Sequence, residues 1–191
     1  QIIFMKQYPA VVALGMAAIE IDDQGSEGEA IRRAPDHADI DAWNLTWGGG
    51  GIVHPTALIR TAALRAIGGY RPQFRQCQEG DLFLRLAERG ELANLEAVGL
   101  LYRRHAQQVS TRKLAAQKLS AGRAIQAAGR RRGIDVRTRV TRLFRRASYH
   151  YAENGQHKMA SWCALRAAMH DAKDCQNWRR TLGAGRRLLR G

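Results

Sequence analysis

Two acids, Glu79 and Asp81, open a leucine-rich run, Gln78-Glu79-Gly80-Asp81-Leu82-Phe83-Leu84-Arg85-Leu86. Further on, a basic cluster, Tyr102-Arg103-Arg104-His105, leaves the end of an apolar stretch. A carboxylate within reach of a hydroxyl can take its proton, and arginine offers a fork of donors that matches phosphate oxygens. Acids in a first helical turn are equally explained by the helix dipole and the unpaired amides there. A third group, His54, stands before Pro55 and just after Gly48-Gly49-Gly50-Gly51. Four glycines in a row let backbone approach something closely or let a loop move.

Other groupings carry less. The glycine run lacks a following Lys-Ser/Thr, so it is not a P-loop. Asp36, His37, Asp39 and Asp41 are spaced like metal ligands, but they sit in a polar stretch that reads as solvated. Met159, Trp162 and Cys163 fall at helical spacing and read as core.

The elements that must position these groups alternate through the first half. A short helical opening closes at Pro9, and Val11 to Ile21 reads as a strand buried on both faces, ended by the turn Asp22 to Ser26. Residues 26–50 read as polar and irregular, anchored by Trp43 and Trp47. Ile52 to Ile59 is a second strand, broken by Pro55. Thr61 to Ile67 reads as a short helix capped at Thr61 and stopped by Gly68-Gly69. Glu79 to Arg89 is a helix ending at Gly90, and Leu92 to Tyr102 returns to strand. Strand and helix in alternation predict an α/β layer structure. From Thr111 onward the pattern is helical alone, with helices expected over 136–151, 156–170 and 174–190. The boundary between a domain at 1–110 and a helical tail at 111–191 is placed near Ser110.

The order of these pieces resembles the second half of family 2 glycosyltransferases of the GT-A fold. The likeness rests on a strand carrying His54-Pro55-Thr56, a short helix, Ile67-Gly68-Gly69-Tyr70, the acids opening a leucine-rich helix with Arg85 inside it, and then Tyr102-Arg103-Arg104-His105. Val11 to Gly25, ending in Ile-Asp-Asp-Gln-Gly, is similar to the strand that precedes this region in the family. The resemblance covers about residues 1–110 and implies the C-terminal half of a GT-A mixed sheet, followed by an all-α tail.

It implies an activity as well: transfer of a sugar from a nucleotide-sugar donor to an acceptor hydroxyl, with inversion. An acid of the family's Glu-Asp pair takes the acceptor proton. That pair falls on Gln78-Glu79, which makes Glu79 the candidate base and leaves Gln78 toward substrate. Asp81 matches the Asp two residues later and joins the catalytic set. Gly80 stands where the family often has an aromatic. By the same likeness, His54 shapes the acceptor pocket and Arg85 sits at the substrate side while bracing the site. Arg103 and His105 would reach the donor diphosphate, with His105 also a contact for its metal. The family holds a divalent cation, Mg or Mn, on an Asp-x-Asp motif. Asp22-Asp23 imitates that motif but lies too late in the family order, so the metal ligands are expected outside this chain. A sequence opening in mid-apolar segment without a Met or the nucleotide-binding strands is expected to be a fragment, inactive alone.

Composition bounds the rest. At 45% hydrophobic and 25% charged, the 191 residues suit a globular protein rather than a disordered one. No run approaches a membrane-spanning length, and the opening residues lack the charged leader of a signal peptide. Cys77, Cys163 and Cys175, widely spaced and odd in number, fit a reducing, cytoplasmic setting. The net charge of +14 is lopsided: residues 1–102 hold 9 Lys/Arg against 13 Asp/Glu, and residues 103–191 hold 22 against 4. A basic helical half can lie on the anionic inner face of a membrane, near a saccharide or lipid-linked acceptor. The alternative is a basic module binding nucleic acid or a membrane surface without catalysis. Against nucleic acid, the basic half has few aromatics interleaved for base stacking and no helix-turn-helix signature.

Overall fold

The computed structural model describes residues 1–104 and 113–170, and among these it is a mixed α/β structure with a four-stranded mixed sheet and seven α-helices. Helix α1 (Ile2–Gln7) leads into the central strand β1 (Val11–Ile21). Eight of its eleven residues are buried, which is why it reads as a continuous apolar run. Strand β4 (Glu91–Arg103) runs parallel to β1 along its whole length. Antiparallel to β1 are β3 (Leu58–Ile59), at Ala13 and Leu14, and β2 (Glu27–Ile31), at Ala18 to Ile21.

Three readings need correction. The stretch expected to be irregular contains β2 and a helix, α2 (His37–Trp47). Asp36 caps α2 by accepting from the Asp39 amide, and Gly48 ends it in the left-handed conformation at φ 80°. Only Ile40, Asn44 and Leu45 of α2 are buried, so its apolar spacing is too sparse to signal a helix. The expected strand at Ile52 to Ile59 is mostly not strand, because Pro55 opens a 3₁₀ turn at His54–Thr56. Helix α3 (Thr61–Ala66) forms, but its cap position is Arg60, and no side chain caps it.

Helix α4 (Gln78–Leu86) is the most deeply packed element, with Gly80 through Leu86 all buried. Helices α5 (Leu114–Arg132), α6 (Arg137–Glu153) and α7 (His157–His170) follow. They are no separate appendage: one hydrophobic cluster runs from Leu45, Phe74, Cys77 and Leu84 into Leu119, Ile125, Phe144 and Cys163. The expected boundary at Ser110 and the helix expected at 174–190 lie outside the described residues. Cys163 is fully buried and Trp162 packs against the cluster, whereas Met159 is exposed and is not core. No helix among the described residues is long and apolar enough to cross a membrane.

Candidate functional site

Of the residues expected to do chemistry, Glu79 and His54 meet near the N-terminal end of α4. Its first turn packs against the glycine run so closely that a Cβ on Gly80 would fall 1.8 Å from the Gly48 carbonyl oxygen. A Cβ on Gly49 would lie 3.0 Å from Gly80 Cα and 3.8 Å from Glu79 Oε1. The glycines therefore let the start of α4 seat against the end of α2, and they leave the Glu79 carboxylate uncovered. Glu79 is half-buried and lines a cleft of about 690 Å³ together with His54, Tyr102, Arg104 and Glu20. That volume lies within the roughly 300–1,000 Å³ of small-molecule sites.

His54 Nε2 is 2.8 Å from the Tyr70 hydroxyl, and its ring meets Phe83 edge-on at 6.0 Å. Burial, and then the Glu79 carboxylate, raise the Tyr70 phenol above its ordinary pKa, which keeps it a protonated donor. The turn bearing Tyr70 is pinned from beneath. Arg85 donates to the Ile67 and Gly69 carbonyls, each at 2.7 Å, and through Nε to Asp81 at 2.9 Å. Arg71 clamps the other side of the Asp81 carboxylate.

This geometry revises several assignments. Asp81 is 1% exposed with both oxygens held by guanidinium groups, so it supports the site and does not face substrate. Arg85 is 6% exposed and each of its three guanidinium nitrogens is engaged within the protein, so it is a brace and not a ligand contact. Gln78 is exposed at the start of α4 and does not line the cleft. Arg103 donates to the Asp22 carbonyl at 2.5 Å on the side away from the cleft. Successive strand residues face opposite ways, so Tyr102 and Arg104 share the cleft face of β4 and Arg103 cannot. His105 lies outside the described residues.

Residues not singled out from the sequence complete the walls. Arg104 pairs with Glu20 at 3.3 Å across the β1–β4 pair. Lys118, with Gln117 and Leu114 of α5, closes one side, so the helical half contributes to the cleft. Burial, and then the nearby Arg146, pull the Lys118 pKa down. The recurrence of basic residues along α5 gave no hint of which one turns inward. Cys77, at the foot of Glu79, donates to the Gly48 carbonyl at 2.8 Å. Burial, then Glu79 and Asp81, push its thiol up to about 12, so it is no nucleophile at neutral pH.

The acids expected to be solvated have structural tasks. Asp36 caps α2, the Leu92 amide donates to His37 Nδ1, and Asp41 pairs with Arg132 at 2.6 Å. Asp22 accepts the Gln24 and Ser26 amides within its turn. No group of three metal-ligating side chains gathers among the described residues. Glu20 is already paired with Arg104, so the carboxylates of the cleft do not by themselves fit a divalent cation. No protein-family profile matches this chain, and no curated protein matches it significantly, so a functional reading must stand on the cleft itself.

Proposed function

We propose that this chain forms the acceptor side of a nucleotide-sugar-dependent, inverting glycosyltransferase of the GT-A kind, with Glu79 as the base. The observation that carries the reading is the convergence of Glu79, His54, and the pair Tyr102 and Arg104, from three separated segments, on one cleft. In the reaction, an acceptor hydroxyl oxygen forms a bond to the anomeric carbon. The bond from that carbon to the donor phosphate oxygen breaks, the electron pair leaves with the nucleotide, and the hydroxyl proton passes to Glu79. Tyr70 and His54, hydrogen-bonded to one another beside Glu79, orient the acceptor hydroxyl. Arg104, held by Glu20 through Nε, brings guanidinium N–H donors to the same wall, where a phosphate leaving group would gain from them. No step is assigned to a metal, because the described residues do not build a centre for one.

A competing reading takes the basic helices as a polyanion-binding face. Against this, two of their arginines are already paired with acids of the α/β half: Arg131 pairs with Glu88 at 2.7 Å, and Arg132 bonds both Asp41 and Glu88.

The test is Glu79→Gln in the full-length polypeptide, assayed for transfer from a panel of nucleotide-sugars. Transfer should fall by about 100-fold or more while the unfolding curve is unchanged, since a general base contributes on that order. Wild-type turnover in that variant would remove Glu79 from the mechanism.

A further inference from the structure

Beside the cleft lies a second cavity of about 470 Å³, and the two share a wall. Arg33 lines both. Its Nε donates to the Gly50 carbonyl at 2.6 Å and Nη1 to the Arg32 carbonyl at 3.1 Å, so backbone groups hold the guanidinium in place. The same guanidinium lies 5.5 Å from the centre of the Trp43 ring. Trp43 is 43% exposed, and its indole nitrogen lies beside Gly50, which also lines the cleft. Along the same face of α2 as Trp43 lie Asp39, Thr46 and the half-buried Trp47, whose ring centre is 6.0 Å from that of Trp43.

The Trp43 indole stays partly open to water inside this concavity, with Arg33 beside its ring. Here it stands with a carboxylate, a hydroxyl and a guanidinium held by two carbonyls. Apolar ring faces ringed by hydroxyls need this combination: a flat aromatic surface for the C–H face, and acceptors and donors at its edge. We infer that the Trp43 cavity is a subsite for an extended saccharide chain, continuous over Arg33 and Gly50 with the cleft that holds Glu79. The inference takes its direction from the transferase reading and deepens it: the acceptor is an oligosaccharide of several residues, whose reacting end lies at Glu79 and whose earlier units lie on Trp43.

The test uses neither donor nor transfer. The full chain, labelled at its indole nitrogens, is titrated to millimolar levels with cellohexaose, chitohexaose, maltohexaose and hexagalacturonate, following the Trp43 indole N–H by NMR. At least one of the four should shift that resonance saturably, and Trp43→Ala should weaken its binding by about tenfold. Trp43→Phe keeps a ring and should restore part of the loss, which separates a stacking role from simple loss of fold; thermal melting of both variants guards the comparison. No saturable shift with any of the four, or affinity unchanged in Trp43→Ala, would overturn the proposal. If transfer by the full-length polypeptide fails with every donor yet the titration saturates, the sugar subsite stands and the transferase reading falls.

Discussion

Glu79 and Asp81 are two positions apart, and at about 100° of rotation per helical residue this turns their side chains to nearly opposite sides of α4. Glu79 is carried to the cleft and Asp81 into the protein, where Arg71 and Arg85 take its oxygens. A buried carboxylate between two guanidinium groups is costly to break, because removing its charge leaves the buried Arg85 uncompensated. Asp81→Asn is therefore expected to lower unfolding stability by about 3 kcal/mol in denaturant titrations. It should also weaken acceptor binding, since Arg85 holds the turn that presents Tyr70. A variant with unaltered stability would show that the clamp contributes nothing net.

At the scale of elements, the site depends on how closely α2, α4 and α5 approach one another. Gly48 ends α2 at φ 80°, and a Cβ there would lie 2.3 Å from Ala121 Cβ of α5. Gly80 sits on the Gly48 carbonyl from the other side. Three elements thus meet at two glycines, and no flexible side chain is available to give way. Gly80→Ala should destabilise the fold by more than about 3 kcal/mol, read as a lowered denaturation midpoint, because backbone must move to admit the methyl group. A near-neutral result would mean that α4 can shift at little cost, and the placement of Glu79 would then be loose as well. Strand β4 contributes in a different way: its alternation, not its composition, selects Arg104 over Arg103.

Over the whole molecule, charge ties the helical half to the α/β half. Glu88, just beyond α4, accepts from Arg131 and Arg132, and Arg132 also reaches Asp41 and the Leu84 carbonyl. Burial pushes the Glu88 pKa up, but the hydrogen bonds and charges of Arg131 and Arg132 outweigh it and hold the group below its ordinary 4.5. A carboxylate whose folded pKa is depressed contributes stability that is fully present above the unfolded value and is lost as pH falls through the folded one. Glu88→Gln should therefore be less stable than the parent by about 1 kcal/mol at neutral pH, a figure reduced for solvent screening. The gap should close as the pH drops below 4.5. Denaturant titrations of both proteins between neutral pH and about pH 3 check this, and a gap that persists unchanged into acid would refute the linkage.

The sequence by itself determined the α/β character of the first half, the buried central strand, the leucine-rich helix with its acids and the helices beyond residue 113, because each depends on local periodicity and on glycine and proline punctuation. It also brought Glu79, His54 and the Tyr102 to His105 segment forward as residues to watch. Helix α2 stayed hidden because only a few of its side chains enter the core, although Asp36 and Gly48 marked its two ends. Only the tertiary structure decided which members of each polar group face the cleft, since that depends on helix rotation, strand alternation and the approach of segments far apart in the chain. Asp81 and Arg85 went inward, Arg104 took the place expected of Arg103, and Arg33 and Lys118 arrived from contexts in which nothing local distinguishes them from surface residues.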